Sequence, residues 1–85
     1  MSHKPLNELA EEISAYKDHI EVGTTYVHYK DSTKTYIVRG VVVIEADDSI
    51  GVLYQAQYGP RLSFVRPVSE WLAIVDGKPR FSKVT

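Results

Sequence analysis

The chain has 85 residues, enough for one domain, with 10 basic residues, 11 acidic residues and no cysteine. The lack of cysteine excludes disulfide bridges and thiolate zinc sites, and the net charge of −1 argues against a general nucleic-acid binder, which usually carries a basic surplus. No apolar stretch approaches the ~20 residues that span a bilayer, and the N-terminus lacks the apolar core of a signal peptide. We therefore expect one soluble, unprocessed domain over residues 1–85, located in the cytoplasm.

The first predicted element is an amphipathic helix over residues 5–19, ahead of a β domain predicted for residues 22–84. Apolar side chains recur there every third or fourth position, at Leu6, Leu9, Ile13, Tyr16 and Ile20. A helix this short is not stable alone, so its apolar stripe must be covered. We expect it to cap an open end or an edge of the sheet; docking on a partner or on a second copy is the alternative.

Short apolar runs separated by Gly, Pro and Asp-rich breaks follow the helix, and each run predicts a strand. The first strand is Thr24–Lys30 and the second is Thr35–Ile44, with a polar turn over Asp31–Lys34 between them. Gly40 lies inside the second strand, where a glycine indicates a bulge or a sharp bend. The run Val41–Ile44 is apolar on both faces, so it is either buried on both sides or exposes one apolar face.

The remaining elements continue this pattern after a solvated turn at Glu45–Ser49. Further strands are predicted at Ile50–Tyr58, Leu62–Arg66, Leu72–Val75 and Lys78–Val84, with a helical turn at Pro67–Trp71. Asp76-Gly77 is a strong hairpin signal, because type I′ turns place these residues at positive φ. Pro79 fits only an edge strand or the start of a strand. Together the elements predict a mainly β fold: a small SH3-like antiparallel barrel or a strongly bent sheet of five to six strands, preceded by the helix.

Several short motifs occur in a fixed order along the β domain. They are Gly23-x-x-Tyr26-x-His28-Tyr29-Lys30, Tyr36-x-Val38-x-Gly40, Val52-x-Tyr54, Tyr58-Gly59, Phe64-x-Arg66-Pro67, Trp71, Val75-Asp76-Gly77-Lys78 and Arg80-Phe81. In their order and spacing the chain resembles the bacterial domain-of-unknown-function family 1653, from Val22 to about Val84. The family carries no assigned activity, so the resemblance supports the barrel and the choice of candidate residues and implies no mechanism. The chain departs from the family pattern in the unbroken run Val41–Ile44 and in Trp71, where phenylalanine is more usual.

His28 and Arg66 are the two candidates for chemistry. An imidazole with an ordinary pKa of about 6.5 can act as a general acid or base. The alternative for His28 is a strand histidine that is hydrogen-bonded to the backbone or to a tyrosine. The planar guanidinium of Arg66 suits a carboxylate or a phosphate, and the alternative is an arginine that ties its strand to a neighbouring carbonyl or to Glu70.

Tyrosines on the predicted strands are the third feature: Tyr26, Tyr29, Tyr36, Tyr54 and Tyr58. Tyr54 and Tyr58 share one face of their strand, where they could form an aromatic platform that stacks a base, a methylated amine or a proline. The alternative is core packing with the hydroxyl groups at the rim.

We predict a non-enzymatic binding or interaction module that recognises a peptide, a nucleotide or a small anionic ligand. Its candidate ligand-binding residues are His28, Tyr29, Tyr54, Tyr58, Arg66 and Trp71. One alternative is a small enzyme, with His28 as general base and Arg66 as anion clamp within about 8 Å of it. The other is single-stranded nucleic-acid binding on the tyrosines, helped by Lys30, Arg39, Arg61 and Arg66.

No catalytic residue, cofactor or metal is predicted for this chain. The histidines, His3, His19 and His28, are scattered, and no two have ligand spacing on one element. The acidic turn Glu45–Ser49 does not match a calcium-binding loop. We expect the partner to be a protein or a small molecule rather than nucleic acid or a membrane, and the apolar second strand or the helix would allow a homodimer.

Overall fold

The computed structural model describes residues 4–84 and shows a mainly β domain with one N-terminal helix, as predicted. In chain order the elements are α1 (Leu6–Lys17), β1 (Thr25–His28), β2 (Asp31–Ile44), β3 (Ser49–Ala56), β4 (Ser63–Pro67), α2 (Val68–Trp71), β5 (Ile74–Val75), β6 (Lys78–Pro79) and β7 (Phe81–Lys83). One five-stranded antiparallel sheet has the order β4-β3-β2-β1-β7, and β5 and β6 form a separate two-stranded hairpin. No helix within residues 4–84 is long and apolar enough to cross a membrane.

The five-stranded sheet is strongly bent, but it does not close into a barrel. β4 and β7 are its two edges, and within the described part of the chain no strand pairing joins them. The bend nevertheless brings side chains from the two edges together, because the guanidinium carbon of Arg66 on β4 lies 5.5 Å from the centre of the Phe81 ring on β7. Of the two predicted architectures, the structure has the bent sheet.

A bulge in β2 sets which side chains of this long strand face the core. The register of β2 against β3 shifts between Val38 and Gly40, so the bulge or bend predicted at Gly40 is confirmed. Val38 is fully buried before the shift, and Val41, three positions later, is buried after it. In the run 41–44, Val41 and Val43 therefore join the core, and the other two side chains lie half-buried on the opposite face.

The turn predicted at Asp31–Lys34 is wrong, because these residues begin β2. The β1–β2 turn lies at residues 29–30, and His28 pairs with Asp31 across it. The Asp31 carboxylate accepts hydrogen bonds from the backbone N–H and from the hydroxyl group of Thr33, so this polar segment satisfies its own side chains in an extended conformation. Turns and exposed strand ends both tolerate such residues, which is why the local pattern did not separate them.

Four strands are shorter than predicted, among them β1, which was predicted over residues 24–30, and β5, which was predicted over residues 72–75. β3 ends at Ala56 rather than at Tyr58, ahead of a turn in which Gly59 has a positive φ of 56°. The predicted last strand, Lys78–Val84, is divided into β6 and β7, and β7 is an edge strand beside β1. The hairpin at Asp76-Gly77 is confirmed, since the two residues have φ values of 52° and 76°, as a type I′ turn requires.

The aliphatic core lies on the inner face of the sheet. We give this name to the buried aliphatic residues Leu9, Ile20, Val38, Val41, Ile50 and Val52. Ile20, Val38 and Val52 are the most deeply buried, with at most 1% of each exposed. Because these side chains have no polar atoms, this part of the core contributes to stability through burial and packing alone.

α1 packs on β2 and β3, which are interior strands, rather than along an edge strand. The start of the helix is tied to the β2–β3 turn by a 2.8 Å hydrogen bond from the backbone N–H of Lys4 to the Asp48 carboxylate. Leu6, predicted on the apolar stripe, is 84% exposed, so the buried stripe begins one turn later, at Leu9. The helix therefore covers one end of the bent sheet, which is the first of its two predicted placements.

Candidate ligand-binding site

Phe81, the first residue of β7, lies at the centre of a cluster of aromatic rings on the inner face of the sheet. Its ring stacks on Trp71 of α2, with 3.8 Å between the ring centres and 7° between the planes. The rings of Tyr54, Tyr36 and His28 meet it edge-on, at centre-to-centre distances of 5.5, 6.1 and 5.1 Å. Further ring contacts add Tyr26, Tyr29, Tyr58 and Phe64. We call this set of side chains the aromatic cluster.

Strand register explains why these rings share one face, since the side chains of directly paired residues lie on the same side of a sheet. Tyr26 pairs with Tyr36 across β1 and β2, and Tyr54 pairs with Phe64 across β3 and β4. Arg66 follows Phe64 by two positions and therefore lies on the same face. Because the sheet is bent, residues from both of its edges meet in this cluster.

The predicted ligand-binding residues come together in or against the aromatic cluster, but at two depths. Trp71 and Tyr54 are only 3% and 6% exposed, and they form the floor. The others are half-buried or exposed and form the rim: His28, Tyr29, Tyr58 and Arg66. A ligand would touch the rim directly, whereas the floor holds the rim residues in position.

Three contacts hold Arg66 at the rim. Its guanidinium faces the Phe81 ring, its Nε donates a 3.4 Å hydrogen bond to the Tyr54 hydroxyl, and its Nη1 lies 3.6 Å from the Glu70 carboxylate. The link to Glu70 is the structural role considered for this arginine. However, the Glu70 side chain is 57% exposed, and an ion pair of this kind contributes only about 0–1 kcal/mol. The guanidinium is therefore well positioned while its carboxylate partner is easily displaced.

His28 lies between the rings of Tyr29 and Phe81, 4.7 and 5.1 Å from their centres. Its Nδ1 accepts a 3.2 Å hydrogen bond from the backbone N–H of Lys30, which is the backbone-bonded arrangement considered for this residue. Burial lowers the pKa of the imidazole from its ordinary value of 6.5. Nearby cations lower this pKa further; they are Arg66, Arg80 and Lys30. At pH 7 the imidazole is therefore neutral.

Tyr36 and Tyr58 form a pair at the rim, with 2.7 Å between their hydroxyl oxygens. Burial, and then the hydrogen bond to Tyr58, raise the pKa of Tyr36 to about 12. The ammonium group of Lys34 lies 5.4 Å from the centre of the Tyr58 ring. The hydroxyl pair thus restrains Tyr58, which is the most exposed of the candidate residues.

Sequence reasoning did not select Phe81 or Arg80 as site residues, although the two form the last of the family motifs. Phe81 is only 7% exposed, and the pairing of β7 with β1 that buries it is a long-range contact. The sequence contains only a weak indication that Phe81 is buried. Its aromatic side chain stands between the polar residues Arg80 and Ser82, the alternation that is typical of a half-buried strand. The Nε of Arg80 is buried and has no hydrogen-bond partner within the described residues.

Arg39 lies away from the aromatic cluster. Its guanidinium donates hydrogen bonds of 3.1 and 2.9 Å to the side-chain oxygen of Gln55. Gln55 follows Tyr54 on β3, so its side chain occupies the opposite face of the sheet. Of the cations considered for nucleic-acid binding, Arg39 is therefore separated from the tyrosine platform.

The rim of the cluster is a shallow surface, since no pocket is present among residues 4–84. The same residues contain no group of three or more side chains that could hold a metal ion, and His3 lies outside them. In the acidic turn, the Asp47 carboxylate accepts hydrogen bonds from the backbone N–H and the hydroxyl group of Ser49. The carboxylates of Asp47 and Asp48 therefore accept hydrogen bonds from within the protein.

Residues 24–83 match the model of a family described as "Protein of unknown function (DUF1653)". The matched segment includes all seven strands and α2, and α1 lies outside it. The family predicted from the sequence motifs is thereby confirmed. No curated protein matches the chain, and no solved structure does so either.

Proposed function

Because the chain belongs to the DUF1653 family, a family of unknown function, we propose from its geometry that it is a non-enzymatic binding module whose recognition surface is the rim of the aromatic cluster. One observation carries the proposal: side chains from separate elements converge on Phe81, with a guanidinium and an imidazole beside the rings. The ligand classes that suit such a surface are a peptide, a nucleotide or a small anion. The cytoplasm remains the predicted compartment.

The exposure of rings in and beside the rim supports this proposal. Tyr58 and Phe64 are 37% and 40% exposed although both rings belong to the cluster. Tyrosine presents a rigid, largely apolar ring that loses little conformational entropy on binding, and it also offers a hydroxyl group. On a surface without a pocket, a flat or extended ligand would lie across these rings and place a polar group against Arg66.

A small enzyme is the second candidate, because His28 and Arg66 both contact the Phe81 ring and so lie on the same side of the sheet. A neutral imidazole at pH 7 would suit a general base, and the guanidinium would suit an anion clamp. The shallow surface argues for the binding module, since it would leave a reacting group in water. Once a ligand is known, its chemical change over time in the presence of the protein would separate the two candidates.

The test is a titration of the ¹⁵N-labelled protein, followed by NMR, with a proline-rich peptide, a mononucleotide and a small carboxylate. We expect one of them to shift the signals of the rim residues. Tyr58→Ala and Arg66→Ala should each weaken its binding by about tenfold, as expected for an interface residue that contributes about 1.4 kcal/mol. Arg39→Ala is the matched control, because its guanidinium lies on the opposite face, and it should leave the affinity unchanged.

Two results would contradict the proposal. One is that no member of the panel shifts the rim signals, while Tyr58→Ala and Arg66→Ala change only the stability. The other is that Arg39→Ala weakens binding as much as Arg66→Ala, which would show attraction by overall charge rather than by the cluster.

A further inference from the structure

The outer edge of β4 carries backbone groups that no other strand within residues 4–84 uses. Along its other edge β4 pairs with β3, where the Ala56 N–H donates to the Leu62 carbonyl at 2.9 Å. Hydrogen-bonded pairs alternate along an antiparallel ladder, so Phe64, two positions after Leu62, also bonds to β3. The N–H and carbonyl groups of Ser63 and Val65 therefore point away from the sheet. We call these groups the free edge.

The chain itself closes the free edge at both ends. Two positions before Ser63, the N–H and the carbonyl of Arg61 both bond within the chain. Two positions after Val65, Pro67 has no N–H to donate. A long foreign strand would therefore meet groups that cannot pair with it at either end of the free edge.

Apolar side chains surround the free edge and are open to solvent. Every residue from 57 to 65 is exposed, and Leu62, Phe64 and Val65 are exposed by 56%, 40% and 50%. Charged side chains, lysine above all, protect edge strands from pairing with other chains. The opposite edge strand, β7, carries Lys83, whereas the two residues of the free edge on β4 are uncharged.

We infer that β4 pairs antiparallel with β4 of a second copy of the chain, about a two-fold axis at Phe64. In this register Ser63 of each copy lies opposite Val65 of the other, and the two residues exchange both of their backbone hydrogen bonds. Phe64 lies opposite Phe64 of the other copy, at the closer spacing of a pair without hydrogen bonds between its residues. Both rings point to the inner face, because paired residues share one side of a sheet.

The same register explains why the partner is a second copy. Arg61 of one copy lies opposite Pro67 of the other, so the closed ends of the two strands coincide. Arg66 lies opposite Leu62 of the other copy, where its aliphatic stem can cover this exposed side chain and no like charge opposes it. The pair uses every group of the free edge on both strands, so assembly ends at a dimer.

This pairing joins two five-stranded sheets into one continuous sheet and goes beyond the proposed binding function, on which it does not depend. We expect the interface to be smaller than the roughly 1,200–2,000 Å² of stable complexes, and hence a Kd on the order of 0.1 mM. The first measurement is sedimentation velocity of the full chain from about 10 µM to about 1 mM, a range that brackets this Kd. The mass should rise from one chain toward two and no further.

Amide hydrogen exchange followed by NMR locates the interface in the wild-type protein. With a Kd on the order of 0.1 mM, about a fifth of the chains are monomeric at about 1 mM. The amides of Ser63 and Val65 should therefore exchange about fivefold more slowly at this concentration than in dilute solution. The Phe64 amide is the internal control, because its bond to β3 should protect it equally at both concentrations.

Two variants test the pairing directly. Val65→Lys places a charge at an exposed position of the edge, and Ser63→Pro removes an outward N–H without removing a bond to β3. Each should raise the Kd of the dimer by about tenfold. Ile74→Lys is the matched control, because Ile74 is an exposed apolar residue of β5, and it should leave the Kd unchanged.

A mass that stays at one chain up to about 1 mM would overturn the inference, and so would growth beyond two chains. A dimer that Ile74→Lys weakens and Val65→Lys does not would place the interface on the β5–β6 hairpin instead. If either edge variant fails to fold, amide exchange in the wild-type protein decides: protection that rises with concentration elsewhere but not at Ser63 and Val65 refutes the pairing of β4.

Discussion

The aliphatic core beneath α1 and the aromatic cluster beside α2 occupy the same face of one sheet, but their side chains differ in solvent exposure. In the aliphatic core, Ile20, Val38 and Val52 are almost completely removed from water. In the aromatic cluster, buried Trp71 and Phe81 support a rim of hydroxyl, imidazole and guanidinium groups that remain accessible. Tyrosine and arginine allow this because each combines an apolar body with a polar end. One part of the core only stabilises the fold, while the other also presents chemistry.

The largest expected effect is the loss of stability when either part of the core is truncated. Trp71→Ala should lower the free energy of unfolding by about 3–5 kcal/mol, and Ile20→Ala by about 2–5 kcal/mol. Urea denaturation followed by circular dichroism measures both. A loss below ~1 kcal/mol for Trp71→Ala would show that the aromatic cluster is not part of the core, and the comparison would then fail.

A smaller effect is expected from the hydroxyl pair at the rim. Tyr58→Phe removes the hydrogen bond to Tyr36 and should cost about 0.5–1.5 kcal/mol. It should also lower the pKa of Tyr36 from about 12 toward its ordinary value of 10.0, which an absorbance titration of the tyrosinate measures. Because the pKa of Tyr36 is higher in the folded state, the protein loses stability as the pH rises above 10, and the variant should lose less. An unchanged titration curve would contradict the assignment of this bond.

The smallest effect is expected from the protonation of His28. Its pKa is lowered in the folded protein, so the unfolded chain binds the proton more readily, and stability falls as the pH decreases below the ordinary value of 6.5. His28→Gln should remove this part of the pH dependence, which thermal melts at a series of pH values would show. The carboxyl groups with lowered pKa, Glu21, Asp31 and Asp47, act only near and below their ordinary values of 4.5 and 3.8. A wild-type stability that stays flat from pH 7 to 5 would contradict the prediction.

Much of the backbone followed from local rules. The helix was predicted from the spacing of its apolar residues. The hairpin was predicted at Asp76-Gly77 because its turn requires residues that adopt positive φ, and the bulge in β2 was predicted from a glycine, Gly40, inside a strand. Where local preferences were balanced, the prediction failed: Asp31–Lys34 suits a turn and an exposed strand about equally. Leu6 has the correct spacing for the apolar stripe, but the position of the helix on the sheet leaves it exposed.

The candidate site was predicted in part. Motifs and residue types selected Tyr58, Arg66 and His28, and the structure brings them to one rim. The same reasoning also selected Trp71 and Tyr54, which form the floor, because residue type does not reveal depth. The central position of Phe81 depends on the long-range pairing of β7 with β1 and on the stacking of its ring on Trp71 of α2. The residues beside Phe81 in the sequence give no sign of either contact.

By itself the sequence determined most of the local backbone of this protein, because the spacing of apolar residues and the φ preferences of glycine, proline and aspartate act over a few residues. Only the tertiary structure decided how far the sheet bends, that its edges approach without pairing, and which rings meet at Phe81. These features depend on the summed twist of strands and on packing between residues far apart in the chain, and such energies belong to the assembled fold rather than to any segment of it.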